Sequence, residues 1–275
     1  MTSTDVVEVL GVRFHNLSCL EAARAIAWLA LNQHQAYVVK PYSEFMPRAA
    51  RHTDIRGLLN GAALCLPDGV GILWAAHYLS LSGGTVRALW QLPLSLASVA
   101  LNPSSIRRPL VENMAGVDLT WQMLGALEQA GATVFLLGGT GAELRGARER
   151  IKARFPSLRL VGACRGYFDS TGSDNDAVVA EINAEAPQAL LVAMGFPLQE
   201  RWIAANLPRL NVNVAIAEGG SFSFISGVTP RAPFWVRRLG LEWLFRLLRQ
   251  PWRLRRQLAL PAFVWLVLME RLQQK

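Results

Sequence analysis

Three features of the sequence predict an α/β protein built on a mostly parallel sheet with helices on both faces. From Val117 onward, apolar runs of strand length alternate with longer stretches of helical spacing. Runs such as VFLLGG (134–139) and ALLVAMG (189–195) are almost wholly apolar, as strands covered on both sides have to be. Glycines close these runs, where a strand must turn sharply into the next helix. Strands and helices alternating in this way argue for βαβ units and hence for parallel strands.

Residues 16–35 carry Leu20, Ala23, Ile26, Ala27, Ala30 and Leu31 at helical spacing, with Asn16 or Ser18 as the cap. A short β-type run, Ala36–Val39, precedes a helical stretch from Ser43 to Asn60. Ala62–Leu66 reads as a strand ending at Pro67-Asp68-Gly69, and helical spacing returns through Leu79. Residues 80–115 break the rhythm. Gly83, Gly84, Pro93, Pro103 and Pro109 punctuate or flank an apolar stretch from Ala88 to Leu101, and the expectation is a poorly ordered or membrane-facing excursion. Regular alternation then follows: helix Val117–Gln129, strand Thr133–Leu137, helix Ala142–Phe155, strand Leu158–Gly162, helix Asp174–Ala186, strand Ala189–Met194, helix Leu198–Asn206 and strand Val212–Ala217. After Pro230 the pattern is helical and basic, so the expected division is a core over 1–230 and an appendage over 231–275.

The composition supports that division. The chain has 275 residues, 52% of them hydrophobic and 17% charged, which excludes disorder. Three scattered cysteines with no CxxC pair argue against a disulfide scaffold and a structural zinc site. Residues 231–275 hold nine Arg and one Lys against Glu242 and Glu270, an excess equal to the +8 of the whole chain. Four of the nine tryptophans lie there too: Trp235, Trp243, Trp252 and Trp265. Cations among aromatic and aliphatic residues suit an anionic membrane surface or a phosphate ligand. A nucleic-acid partner is disfavoured, because Leu, Val and Trp are too dense for a groove that tracks phosphates. The N-terminus lacks the basic n-region of a signal peptide, and no run reaches ~18 apolar residues. The expected location is the cytoplasmic face of a membrane, held peripherally.

Five segments carry candidate chemistry. Gly138, Gly139 and Gly141 lie between a strand and a helix, where free N–H groups can meet a phosphate or hydroxyl, or simply form a tight turn. Asp68 follows a strand, at the sheet edge where open α/β proteins bind ligands. It reads as a general base or as the cap of the next helix. Gln199 and Glu200 open a helix after ALLVAMGFP, as sugar contacts or as groups that favour a helix start. Glu218, Gly219 and Gly220 follow the last strand, an acid beside a backbone open to close approach. Arg246, Arg249, Arg253 and Arg256 recur at helical spacing, a row suited to phosphates or a solvated basic face. The four histidines show no ligand spacing; no metal site and no cofactor is expected.

These pieces, in this order, resemble the WecG/TagA/CpsF glycosyltransferase family. The matching segments are LPDGVGI (66–72), GVDL (116–119), VFLLGGTG (134–141), GYF (166–168), LLVAMGFPLQE (190–200), and EGGSFSFISG with RAPFWVRRLGLEWLFRLLRQPWRLRR within 218–256. The resemblance covers roughly residues 10–256. It implies a Rossmann-like core and an inverting, metal-independent transfer of a sugar from a UDP donor to a polyprenyl-diphosphate-linked acceptor, feeding teichoic acid, common antigen or exopolysaccharide synthesis. It also implies that Asp68 is the general base and that Gln199 belongs to the site. Arg231, Arg246, Arg253 and Arg256 fall on the arginines of a membrane-docking appendage. Four pocket positions depart from the family pattern: Lys40 stands for Thr, Tyr42 for Asn, Asn113 for Arg and Ser223 for Asp. Lys40 is then a candidate to contact phosphate in place of the missing Arg. Two readings follow: a transferase with an altered donor or acceptor, or a relative that binds nucleotide sugar or lipid without turnover. A homo-oligomer, in which a neighbouring subunit completes the site, stays open.

Overall fold

The structure is a computed structural model that describes residues 5–32, 35–233, 236, 242–249, 251 and 254–274. It opens with an antiparallel hairpin, β1 (Val6–Val9) and β2 (Val12–His15). Helix α1 (Cys19–Asn32), β3 (Ala36–Val39), α2 (Met46–Arg51), α3 (Thr53–Asn60), β4 (Leu64–Cys65), α4 (Val70–Ser80) and α5 (Thr85–Leu101) follow. Then come α6 (Gly116–Gln129), β5 (Thr133–Gly138), α7 (Gly141–Arg154), β6 (Arg159–Cys164), α8 (Ser173–Glu185), β7 (Ala189–Ala193), α9 (Leu198–Asn206), β8 (Val214–Ala217) and the short α10 (Ser221–Ile225). Helices Glu242–Arg249, Leu254–Gln257 and Ala259–Gln273 complete the described chain.

Strands β3 to β8 form one parallel sheet in the order β4-β3-β8-β7-β5-β6. Side chains alternate across it with period 2. Leu190 and Val192 of β7 enter one core, with Trp74, Ile182, Trp202 and Ile203. Leu191, with Leu136 of β5 and Ile216 of β8, enters the other, against Ile26, Leu124, Ile151 and Phe222. One face is thus covered by α1, α6, α7 and α10, the other by α3, α4, α8, α9 and the last helix. This is the doubly covered sheet that the apolar strand runs predict, and it fits the Rossmann-like core that the resemblance implies.

Several expectations change. The predicted helix Ser43–Asn60 is two helices, because His52 is extended (φ −120°, ψ 108°) and turns Ile55 and Leu59 into the core. In α1, Leu20 and Leu31 are exposed, and the buried stripe is Cys19, Ala22, Ala23, Ile26, Ala27, Leu29 and Ala30. The excursion at 80–115 is not poorly ordered: its apolar stretch is the 17-residue helix α5, with Pro93 inside it. The last helix, expected in an appendage, buries Phe263, Val267 and Leu268 in the main core. Its Glu270 Oε2 accepts from the Leu10 backbone N–H at 2.9 Å, tying it to the opening hairpin.

Candidate active site

Because every strand of the large sheet is parallel, all their C-terminal ends reach the same edge, and loops there gather into one cleft. A cavity of about 450 Å³ lies at that edge. Lys40 and Tyr42 come from the end of β3, Asp68 from the end of β4, and Gly139 from β5. Met194 and Gly195 follow β7, and Glu218, Gly219 and Gly220 follow β8. Arg231 and Arg256 close it from the basic segment.

The floor is a buried ion pair. Lys40 Nζ lies 2.9 Å from Glu218 Oε1, with their side chains 4% and 0% exposed. The Thr120 hydroxyl is 2.5 Å from Glu218 Oε2, and the Glu218 N–H donates to Val192 O at 2.7 Å. Lys40, read as a phosphate contact, is therefore committed to a carboxylate within the protein.

Gln199 is also turned inward. Its Oε1 accepts from the Gly195 and Gly219 N–H groups at 3.2 and 2.9 Å, and its Nε2 donates to Glu200 Oε1 at 2.9 Å. At 3% exposure it clamps the loops after β7 and β8 together, and so positions backbone. Burial pushes the Glu200 carboxyl up to about 7, against the pull of the Gln199 hydrogen bond.

The glycine-rich turn after β5 divides. Gly139 lines the cavity. Gly138 (φ 134°) instead passes so close to β7 that a Cβ there would lie 2.3 Å from Ala193 O. The turn's amides are used internally: Gly139 N–H donates to Ala193 O, Thr140 N–H to Glu143 Oε2, and Glu143 N–H to Thr140 Oγ1. A capping box thus sits in the turn expected to meet a ligand at Gly138, Gly139 and Gly141, and it engages the Thr140 and Glu143 amides. Ser223 Oγ donates to Glu143 Oε1. Burial raises the Glu143 carboxyl, but the bonds from Ser223 and Thr140 outweigh it and leave it below its ordinary value.

Asp68 is half-buried on the cavity wall. It does not cap α4, whose N-cap is Gly69 with no side-chain cap bond. Its Oδ2 lies against Gly116, the first residue of α6, where a Cβ would come within 3.2 Å. Asn113, at the position of the family Arg, accepts from the Gly69 N–H at 2.7 Å and fixes the loop that carries Asp68.

Of the tail arginines, Arg231 forks onto Asp118, Nη1 to Oδ1 at 2.5 Å and Nη2 to Oδ2 at 2.6 Å, so the fork expected on a diphosphate holds a carboxylate in this structure. Arg256 is exposed on the cavity rim. Arg253 and the side chain of Arg246 lie outside the described residues. Sequence reasoning named Tyr42 but missed the aromatic wall it belongs to: Tyr42 and Phe45 have ring centroids 4.0 Å apart, and Phe45 stacks on Phe196 at 3.6 Å. It also missed Thr120 and Glu143, although Glu143 is the second residue after GGTG. Among the described residues no group of three or more His, Cys, Asp or Glu could hold a metal ion.

The description "Glycosyl transferase WecG/TagA/CpsF family" matches residues 7–89 and 92–275. The chain belongs to this family. Relatives in two strains of Staphylococcus aureus, MW2 and NCTC 8325 / PS 47, are named N-acetylglucosaminyldiphosphoundecaprenol N-acetyl-beta-D-mannosaminyltransferase. Each is 27% identical over 266 residues, covering 96% of this chain and 92% of the relative. As a WecG/TagA/CpsF protein, this chain is a glycosyltransferase, and the cavity at its strand ends is where a family site is expected.

Proposed function

We propose that this protein transfers a sugar, with inversion, from a UDP-sugar to a sugar linked through diphosphate to a polyprenyl lipid at a membrane surface. The observation that carries the reading is the pairing, across one cavity, of Asp68 at a helix N-terminus with Arg256 on the rim. The names of the relatives supply the class of acceptor.

In this mechanism the acceptor hydroxyl oxygen attacks the anomeric carbon of the donor while its proton passes to the Asp68 carboxylate. The bond from that carbon to the diphosphate oxygen breaks on the opposite face, and its electron pair leaves with UDP. Arg256 offsets the charge that develops there, and Arg231 joins it by exchanging Asp118 for the diphosphate; guanidinium forks suit both partners. Neutralisation by arginines makes the transfer metal-independent. Gln199 holds the backbone at Gly195 and Gly219, against which the donor lies, and Tyr42, Phe45 and Phe196 present an aromatic face to a sugar or base.

Asp68→Asn is expected to lower transfer to a polyprenyl-diphosphate N-acetylglucosamine acceptor by at least ~10³-fold, with the unfolding transition unchanged; full activity would overturn the assignment.

A second reading has its own observation. The substituted family positions are engaged within the protein: Lys40 with Glu218, Asn113 with Gly69, Ser223 with Glu143 and the Tyr42 ring with Phe45. Such a chain could bind a nucleotide sugar without turning it over. A panel of UDP- and GDP-sugars, scored by turnover and by thermal shift, separates the two.

A further inference from the structure

We infer that α5 is a lipid-facing helix that lies in the surface of an anionic membrane beside the active site. The inference deepens the membrane part of the proposed function and rests on α5 rather than on the basic tail.

The polarity of α5 is inverted. Its outward arc carries Val86 (71% exposed), Trp90 (72%), Leu94 (69%) and Leu101 (84%), together with the exposed Leu89, Pro93, Leu96, Ala97 and Ala100. Its serines and Gln91 point the other way, while Thr85 and Arg87 are exposed at its first turn. Ser95 is buried and accepts from Trp74 Nε1 at 3.1 Å, Ser98 donates to Ser95 O, and Gln91 donates to Ser82 O. A helix on a protein surface in water has its apolar stripe inward and its polar face outward; a contiguous exposed apolar face marks a docking surface. The helix is one of those too short to span a bilayer. At 17 residues it is ~25 Å long, a length suited to lying in the interface with Trp90 at the headgroup level.

Charge selects the occupant. From Gly69 to Val111 there is no Asp or Glu, while Arg87, Arg107 and Arg108 are exposed around the helix. A second copy of a +8 chain would repel such a face, whereas anionic headgroups attract it. The face is also tied to the site. The last helix packs against α5 and exposes Trp265. It follows directly on Leu254–Gln257, where Leu254 is exposed and Arg256 lines the cavity. A lipid-linked acceptor would then meet the cavity from the plane in which α5 lies.

The test uses the full chain and a Trp90→Ser/Leu94→Ser double variant, both substitutions on exposed positions. Flotation is measured with vesicles of phosphatidylcholine alone and with vesicles enriched in phosphatidylglycerol. The parent is expected to float with the anionic vesicles and the variant at least ~10-fold less, with the same unfolding midpoint. Equal flotation of both proteins overturns the inference. So does failure of the parent to float, whether the variant converts a dimer to a monomer, which would assign the face to a second copy, or leaves the mass unchanged. Turnover on a water-soluble short-prenyl acceptor reads the transferase proposal separately: its absence in the parent, beside α5-dependent flotation, would remove that proposal and leave this one standing.

Discussion

On the floor of the cavity Lys40 and Glu218 face each other with 4% and 0% of their side chains exposed, while at its side Arg231 grips Asp118 with 21% and 47% exposed. Both are opposite charges in contact, yet they differ in what they can do for a ligand. In the floor each charge is the other's compensation for lost hydration, so neither can be lent to a phosphate without stranding its partner. At the side, water can take over from either partner, so the pair can exchange at small cost. Burial, more than residue type, therefore decides which ion pair in this cleft can exchange partners at small cost.

The largest effect that would break this contrast is in the floor. Lys40→Met leaves the Glu218 carboxylate buried without a cation and should cost about 3–5 kcal/mol in denaturant unfolding. Adding Glu218→Gln should restore most of it; a Lys40→Met protein as stable as its parent would mean that the pair is dispensable. Next comes Glu200, pushed up to about 7 by burial. A carboxyl whose folded value exceeds its unfolded one stabilises the fold by holding its proton. That stability is fully present below about pH 4.5 and is lost as pH rises through about 7, a fall of up to ~3 kcal/mol. Glu200→Gln should flatten the decline and unfold at higher denaturant than the parent at pH 8. The smallest effect belongs to the side pair: Asp118→Asn should change stability by about 1 kcal/mol or less. If Arg231 exchanges onto a diphosphate, the same variant should bind UDP more tightly in calorimetry; weaker binding would mean that Asp118 is needed to hold the guanidinium in place.

The alternating core was legible because it rests on local patterns. Strands β5, β7 and β8 are apolar runs between polar helices, and their ends could be read to within two residues. The opening hairpin was not legible, since Leu10-Gly11 lacks the Asn-Gly or Asp-Gly pair that marks such turns. Of the two expectations for residues 80–115, poor order is overturned by the helix α5; its apolar arc faces outward, the reverse of the pattern by which soluble helices are recognised. In the site, Asp68 and Arg256 do lie on the cavity that the motifs predict. Gln199 lies on that cavity too, but its hydrogen bonds could not be read. Its partners are the backbones of Gly195 and Gly219, and an amide held by distant backbone looks, in sequence, like one waiting for a sugar.

By itself, the sequence determined the α/β class, the family, the glycines and carboxylate that follow the strands, and the confinement of the net charge to the last 45 residues. Those properties depend on composition and on periods of a few residues. Only the tertiary structure decided which of the candidate groups face one another. Thr120 and Glu218 stand 98 positions apart and Arg231 and Asp118 stand 113 apart, so no local period reports their pairing. They meet because parallel strands deliver every C-terminal loop to one edge, and burial there forces each charge to find a partner.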